Sequence, residues 1–558
     1  MVKRSLFLAT IVGVLAAAQE ARAFCRTTTC AASPSYQPVG SACEPDGWAK
    51  QCASMGNPDA LLWWKTGCVG FSMQKDASRK VSYDEALAAT SAAFSAWTSA
   101  TCAGAAQGEG GATTVSIAAV NNGPAACSVA GYNQDGPNQH VIAFHDTVWP
   151  YDAVEGVPAG ERSLTIALTT VHFDSDTGEL YDADIEINSA DYDVVPTDAP
   201  GANTVDLQVV LTHEAGHFLG LAHSPDSNAV MYAQDEGADL RKRILSADDV
   251  AAICSVYPPS GLRTVSYSVA SSGAVAEGSC DATPRHGFTS GCSTPASSSS
   301  GCAIGSWSAA GSSAAGAAWT CALGALAIGV ARRRHRKSRG VATCYGLRMW
   351  GLRRRVLTRV FPVLLGLGAA AAPALLAAHD AHASISIAVT FDSLLSSSSS
   401  AVVVIPAEQR ALWEDGRIYT YTRVLIDRAV AGDLEAGSEA WVRTMGGIVG
   451  KVGQRVEGEA VFVMGRPSLV FLHPGPVGAF DVTARGQGQF PVVLDDQKSV
   501  RVMKSSAAGA LLAPRALPVA EGGTQPPPKV LAATAIHGRL LDEVTRDVAT
   551  SWARVHGR

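Results

Sequence analysis

Apolar and polar positions fall into blocks with different periods. Residues 6–18 form an apolar run behind Lys3 and Arg4, ending near Ala21-Arg22-Ala23. A basic start, a short apolar middle and a small-x-small box predict a secretory signal peptide over 1–23. Leu87, Phe94 and Trp97 recur at near-helical spacing behind Ser82 and Glu85, which read as a capping box. Ile166 to Phe173 and Leu180 to Ile187 alternate around Ser175-Asp176-Thr177-Gly178, predicting a β-hairpin with a polar turn. Leu207, Leu211, Ala215, Phe218 and Leu219 then return to helical spacing. They predict an amphipathic helix whose opposite face carries His213, Glu214 and His217. Ser246 and Asp249 supply the N-cap and first-turn acid of a short helix after it.

Beyond Pro258 the pattern changes. Residues 259–308 are rich in Ser, Gly, Ala and Pro and read as a linker. Residues 309–331 are apolar and long enough to span a bilayer, followed by the basic cluster Arg332 to Lys337. With Gly301-Cys302 ahead of it, this 309–338 tail resembles the C-terminal sorting tails of myxobacterial surface proteins, which implies membrane or cell-surface attachment. Residues 349–383 repeat the opening plan: Arg353 to Arg355, an apolar run, then Ala381-His382-Ala383. Two readings fit, namely two exported proteins joined by readthrough or a gene-model error, or one chain with two spans. Residues 384–505 are strand-like at Arg417 to Asp427, Glu439 to Thr444, Val461 to Val463 and Leu469 to Leu472, predicting a separate small all-β module. Residues 506–558 read as a weakly ordered tail.

Composition refines this picture. The 558 residues allow several domains. Only 17% are charged, the net charge is -6 and the pI is about 6.1, which argues against nucleic-acid binding. The mean hydropathy of +0.12 traces to the export-like segments and the tail. Cys25, Cys30, Cys43, Cys52, Cys68, Cys102, Cys127 and Cys254 make an even set of eight, read mostly as disulfides in an oxidising compartment. Five of them crowd the stretch up to Cys68, so 24–67 reads as a stapled extension.

The chemistry lies in THEAGHFLGLAHSPDSNAVMYA, residues 212–233. Four residues turn a helix by roughly 400°, so His213 and His217 stand one above the other and can bind one metal through neutral imidazoles. Glu214 lies beside them, where a carboxylate can act as general base. Gly220 tolerates the left-handed turn that ends a helix, which lets His223 reach the same ion. Three imidazoles with one open position suit a single catalytic Zn2+; manganese and cobalt stay open. A chance HExxHxxGxxH in a chain this size has a probability on the order of 10⁻⁵.

With Met231 downstream, the motif is the metzincin signature, and together with RILSADDVAAICSVYP it is similar to the matrixin family over 68–258. The resemblance implies an α+β metzincin fold, a twisted, mostly parallel five-stranded sheet with three helices, with peptide substrate extended along an edge strand. It also implies His213, His217 and His223 as zinc ligands, Glu214 as general base and Met231 as the Met-turn. No PRCGxPD segment is present, so cysteine-switch latency is not implied. His172, Asp174 and Asp176 superficially resemble the family's structural zinc and calcium loops and read equally well as the hairpin. The functional expectation is an exported, secreted or cell-surface zinc metalloendopeptidase acting on proteins or peptides. The alternative is a surface-displayed binding or adhesion protein that keeps a zinc site without turnover; Glu214, which pure binding would not need, speaks against it.

Overall fold

The computed structural model describes residues 24, 26–29, 60–103, 111, 113–151, 163–200, 204–224, 226–232, 234–235, 239–264, 272–274, 280–291, 385–508, 510–512 and 529–557. Segment 1–23, Cys25, Cys30, Cys43, Cys52, the Gly301-Cys302 pair, the 309–338 tail and segment 349–383 lie outside the described residues. Among the described residues no helix is long and apolar enough to cross a membrane.

Five strands come from the first half: β1 (Cys68–Gln74), β2 (Ala118–Ala125), β3 (Val141–Phe144), β4 (Ala167–Asp174) and β5 (Leu180–Ile187), in the order β2-β1-β3-β5-β4. All neighbours are parallel except β4, which runs antiparallel to β5. A short parallel pair, β6 (Asp193–Val195) and β7 (Thr204–Asp206), leads into the helical layer. That layer holds α1 (Tyr83–Thr98), α2 (Leu207–Phe218) and α3 (Ala247–Val256). The capping box at Ser82 and Glu85 is formed at the start of α1. Phe94 of α1 stacks on Phe71 of β1 at 4.8 Å and meets Phe218 of α2 edge-on at 5.0 Å, so one aromatic cluster joins the sheet to both helices.

Disulfides link Cys68 to Cys280 and Cys102 to Cys254, and Cys127 is also bridged. The first brings in Cys280, which lies outside the set of eight and in the segment read as a linker; the sequence leaves the connectivity open. That linker folds onto the first half in two places. β9 (Leu262–Thr264) pairs with β10 (Ser272–Ala274), and the buried Arg263 donates to the carbonyls of Trp64, Thr66 and Ser116. Residues 280–291 lie across β1 so closely that a Cβ at Gly70 would collide with the Ala282 carbonyl. Poor in apolar residues, these stretches are held by a disulfide and hydrogen bonds, which hydropathy does not register. From the extension, Thr27 donates to the Gly220 carbonyl and accepts from Leu62, tying the 26–29 stretch to the end of α2.

β8 (Gln234–Asp235) follows Met231, and the remaining elements come from the second half. They are β11 (Ile385–Ile387), α4 (Phe391–Ser396), β12 (Ser400–Glu414), β13 (Arg417–Gly432), β14 (Glu439–Met445), β15 (Gly447–Val449), β16 (Val452–Val456), β17 (Ser468–Pro474), β18 (Phe480–Val482), β19 (Gln489–Leu494), β20 (Val500–Val502), β21 (Ala510–Leu512), α5 (Ala532–Ile536), β22 (Arg539–Leu540) and α6 (Leu541–Val555). Most of them form an eight-stranded sheet built on the β12–β13 hairpin, whose tip Asp415-Gly416 has φ of 48° and 82° at its two central residues.

Two sequence expectations are corrected in this half. Val461 to Val463 lie in no strand; the Gln489 side chain holds the Val461 backbone, accepting from its N–H at 2.9 Å and donating to its carbonyl at 2.6 Å. Residues 541–555, expected to be weakly ordered, form a 15-residue helix. Leu541, Val544, Val548 and Trp552 of that helix share one buried face and pack with Leu394, Leu395, Val403 and Phe471.

The halves also share a sheet. β16 pairs antiparallel with β4, Val452 opposite Asp174 through Val456 opposite Thr170, and β15 extends the same sheet to seven strands. Described residues before 299 and after 377 pack as one compact unit. At the junction Arg417 pairs with Glu186 at 2.5 Å, the Arg417 side chain 6% exposed and that of Glu186 0%. Burial alone would raise the Glu186 carboxyl, but the Arg417 guanidinium beside it, with His145 and Tyr151, brings it down to about 2. Because this lies below the free value of 4.5, the pair's contribution is complete above pH 4.5 and is lost as pH falls toward 2. Arg417→Met leaves the buried Glu186 carboxylate without its guanidinium partner and should lower the unfolding free energy at neutral pH by about 3–5 kcal/mol. In urea titrations the deficit relative to the natural protein should shrink as pH falls through that window.

Candidate metal centre

Helix α2 is set by its first residue outside the turn. Asp206 caps it, accepting from the Val209 N–H at 3.0 Å, and is held by Arg243 through contacts of 2.9 and 2.8 Å. Trp97 of α1 donates its indole N–H to the Thr212 carbonyl at 2.7 Å, which fixes the rotation of α2. The helix is less amphipathic than its sequence suggests, since every residue from Val209 to Phe218 is buried, the histidine face included.

At its C-terminal end the backbone turns through Gly220, with φ of +89°. A Cβ there would stand 2.8 Å from the Leu62 carbonyl oxygen, so the position requires glycine for both conformation and space. The turn brings His223 back onto the helix. The Nε2 atoms of His213 and His217 lie 3.1 Å apart, those of His217 and His223 3.1 Å, and those of His223 and His213 2.7 Å.

A cation fits this donor set. The Nδ1 atoms of His213 and His217 face the carbonyls of Val230 and Leu221, at 2.8 and 2.9 Å. A carbonyl can only accept, so each Nδ1 carries the proton and each Nε2 presents a lone pair. Burial, and after it the neighbouring His217, push the His213 imidazole well below its usual value, so it is neutral as ligation requires. Converging lone pairs repel unless a positive ion lies between them, and tetrahedral zinc with bonds of about 2.0–2.1 Å sets its ligands roughly 3.3 Å apart. Among the described residues, these three histidines form the one group of His, Cys, Asp or Glu side chains whose donor atoms converge in this way.

Met231 lies beneath the cluster. A Cβ at Gly216 would strike the Met231 Sδ and crowd the Trp97 ring, so the small residue lets the Met-containing turn press against α2. The turn is held by Asp249 of α3, whose carboxylate accepts from the N–H groups of Val230 at 2.7 Å, Met231 at 3.1 Å and Ser246 at 2.8 Å. Glu214 is fully buried, and its Oε2 accepts from the Thr169 hydroxyl of β4 at 2.5 Å. Sequence reasoning missed Gly216 and Thr169 and read Asp249 only as a helix-start residue. The small residue inside HEAGH is the one local signal for the first; Thr169 is brought to Glu214 by tertiary folding alone.

His172, Asp174 and Asp176 do not converge. His172 lies between Asp182 at 3.2 Å and Gln454 at 3.0 Å, whereas Asp174 accepts from the N–H groups of Asp176 and Thr177 and from the Tyr181 hydroxyl. That is a hairpin turn stabilised by its own aspartate. His140 packs against Trp64, and burial lowers it to about 4; His145 contacts Glu186 at 2.8 Å.

Residues 63–258 match the matrixin family of peptidases. Similar proteins include metalloendoproteinase 1-MMP of Arabidopsis thaliana, 40% identical over 13% of this chain and 21% of its own length. Matrix metalloproteinase-C of Caenorhabditis elegans is 29% identical over 25% of this chain and 22% of its own length. Human matrilysin is 48% identical over 8% of this chain and 17% of its own length. The chain thus spans about a fifth of the length of these relatives, and the matches support a matrixin-type metalloprotease domain over 63–258.

Asp249→Ala removes the acceptor for both turn amides and with it the placement of the Val230 carbonyl against His213. Zinc affinity, measured by competition with a chromogenic chelator, should fall about 10–100-fold, as for other changes behind a metal ligand.

Proposed function

We propose that residues 63–258 form a zinc metalloendopeptidase that hydrolyses peptide bonds in proteins, exported to the cell surface or beyond. The observation that carries this is the triangle of His213, His217 and His223 Nε2 atoms, 2.7–3.1 Å on a side, on the helix that also bears Glu214. His213, His217 and His223 would hold one zinc ion. When bound, zinc supplies a Lewis acid that polarises the scissile carbonyl and makes water acidic enough to attack near neutral pH. Glu214 takes the proton from the attacking water and delivers it to the departing amine. The Thr169 hydroxyl, on Oε2, restricts rotation of that carboxylate, so the base is oriented before substrate arrives. Met231 supports the histidines from below and takes no part in proton transfer. The Cys68–Cys280 and Cys102–Cys254 disulfides and the export-like segment 1–23 support an oxidising, extracellular setting.

Glu214→Ala should keep the zinc content of the purified protein while lowering turnover of an unfolded protein substrate about 10²–10⁴-fold. A chelator should abolish both, and added zinc should restore both. Full zinc occupancy with no cleavage of any unfolded substrate, even once the β4 edge is freed of β16, would instead favour a binding protein.

A further inference from the structure

The strand nearest Glu214 is β4, through Thr169. It is also the last strand that the first half contributes, so its outer edge offers unpaired N–H and C=O groups. A peptide bond that is to reach the metal centre has to enter extended, and an extended chain beside a free strand edge adds to it as one more strand. In this chain that place is taken. β16 runs antiparallel along β4 up to Val456 opposite Thr170, one residue from Thr169. We propose that residues 384–558 are a built-in inhibitor of the metal centre, with β16 seated in the strand position of the substrate; this rests on the protease reading above.

The contact is fitted on several sides. Gly453 faces Phe173, whose ring fills the space a Cβ would need. Gln454 accepts from the Ile418 N–H at 2.6 Å, donates to the Ile418 carbonyl at 3.1 Å and meets His172 at 3.0 Å, joining the β12–β13 hairpin to β4 through one side chain. Val456 packs on Leu168 and Trp149. The hairpin tip inserts beside β4, with Trp413 stacked 5.9 Å from His172, the Gly416 carbonyl accepting from the Tyr132 N–H at 3.0 Å, and Arg417 on Glu186. On the other side of the Met231 turn, β21 pairs in parallel with β8. The second half therefore pairs with two strands of the first, β4 and β8. His213, His217 and His223 are only 1–3% exposed.

The test uses the full chain. Gly453→Leu sets a side chain against the Phe173 ring and should push β16 off β4 while leaving the histidine site untouched. Relative to the natural chain, it should cleave an unstructured fluorogenic peptide at least tenfold faster at equal zinc content, with faster hydrogen exchange in 170–174. Gln454→Ala, a smaller change, should give an intermediate gain. If exchange in 170–174 rises and cleavage does not, the inhibitor assignment is overturned. A Gly453→Leu chain that loses its fold shifts the decision to Gln454→Ala, for which unchanged cleavage with faster exchange is equally fatal. The two readings fail differently: equal cleavage by all three chains sinks the inhibitor alone, whereas no cleavage by any zinc-loaded chain sinks the protease.

Discussion

The proposed metal centre depends on one buried carboxylate that touches no histidine. Asp249 is the third residue of α3 and closes its capping box with Ser246, and the same oxygens receive the amides of Val230 and Met231. Those amides belong to a turn whose carbonyl, on Val230, faces His213 Nδ1. Burial raises the Asp249 carboxyl, and the three backbone donors around it work against that rise. Two jobs that could have used two residues, starting a helix and holding a metal-site turn, are joined in one group. The position of α3 and the geometry of the histidines are thereby one constraint. From the other side Gly216 lets Met231 close onto α2, and Trp97 locks α2 to α1. Three helices and a turn thus converge where three lone pairs meet.

What the sequence made legible was local. HEAGHFLGLAH carries its own helix, its own turn at Gly220 and its own donor atoms within eleven residues, so periodicity and spacing suffice to read it. The β4–β5 hairpin was legible for the same reason, since Asp174 and Gly178 build its turn within a few residues. The unread features have partners far away in sequence. Cys280 is joined to a residue 212 positions earlier, and Thr169 reaches Glu214 across 45. Helix α6 escaped because a Pro-rich stretch just before it dominates the composition, although Leu541, Val544, Val548 and Trp552 have the right period. Strand β12 escaped although Asp415-Gly416, a strong hairpin signal, closes it onto β13.

The junction between the halves follows from edge chemistry. An open strand beside a polar cleft is a liability unless covered, blunted or put to use. Here the cover is specific, because β16 meets β4 with a glycine where Phe173 needs room, and the nearby Arg417 is placed against Glu186. A buried ion pair seldom adds much net stability, since desolvation offsets most of its attraction, but a misplaced one is costly. The Arg417–Glu186 pair is therefore best understood as a selector of position. Among the ways a sheet edge could accept a strand, it favours the one that brings the hairpin tip beside His172.

None of these contacts requires that the two halves be joined by the intervening segment. Strand pairing of β16 with β4 and of β21 with β8, the Arg417–Glu186 and Lys451–Asp176 ion pairs and a stacked tryptophan form a surface that works equally between two molecules. Joining them raises the effective concentration of one half for the other, to about the millimolar range for short flexible links and less for longer ones. A contact that holds in one chain can therefore loosen on dilution once the chain is cut. The two export-like segments and the pairing of β16 on β4 are then compatible features. Whether the second half is delivered attached or separate, the surface that receives it is the same edge, and the chain's continuity sets only how tightly that edge stays covered.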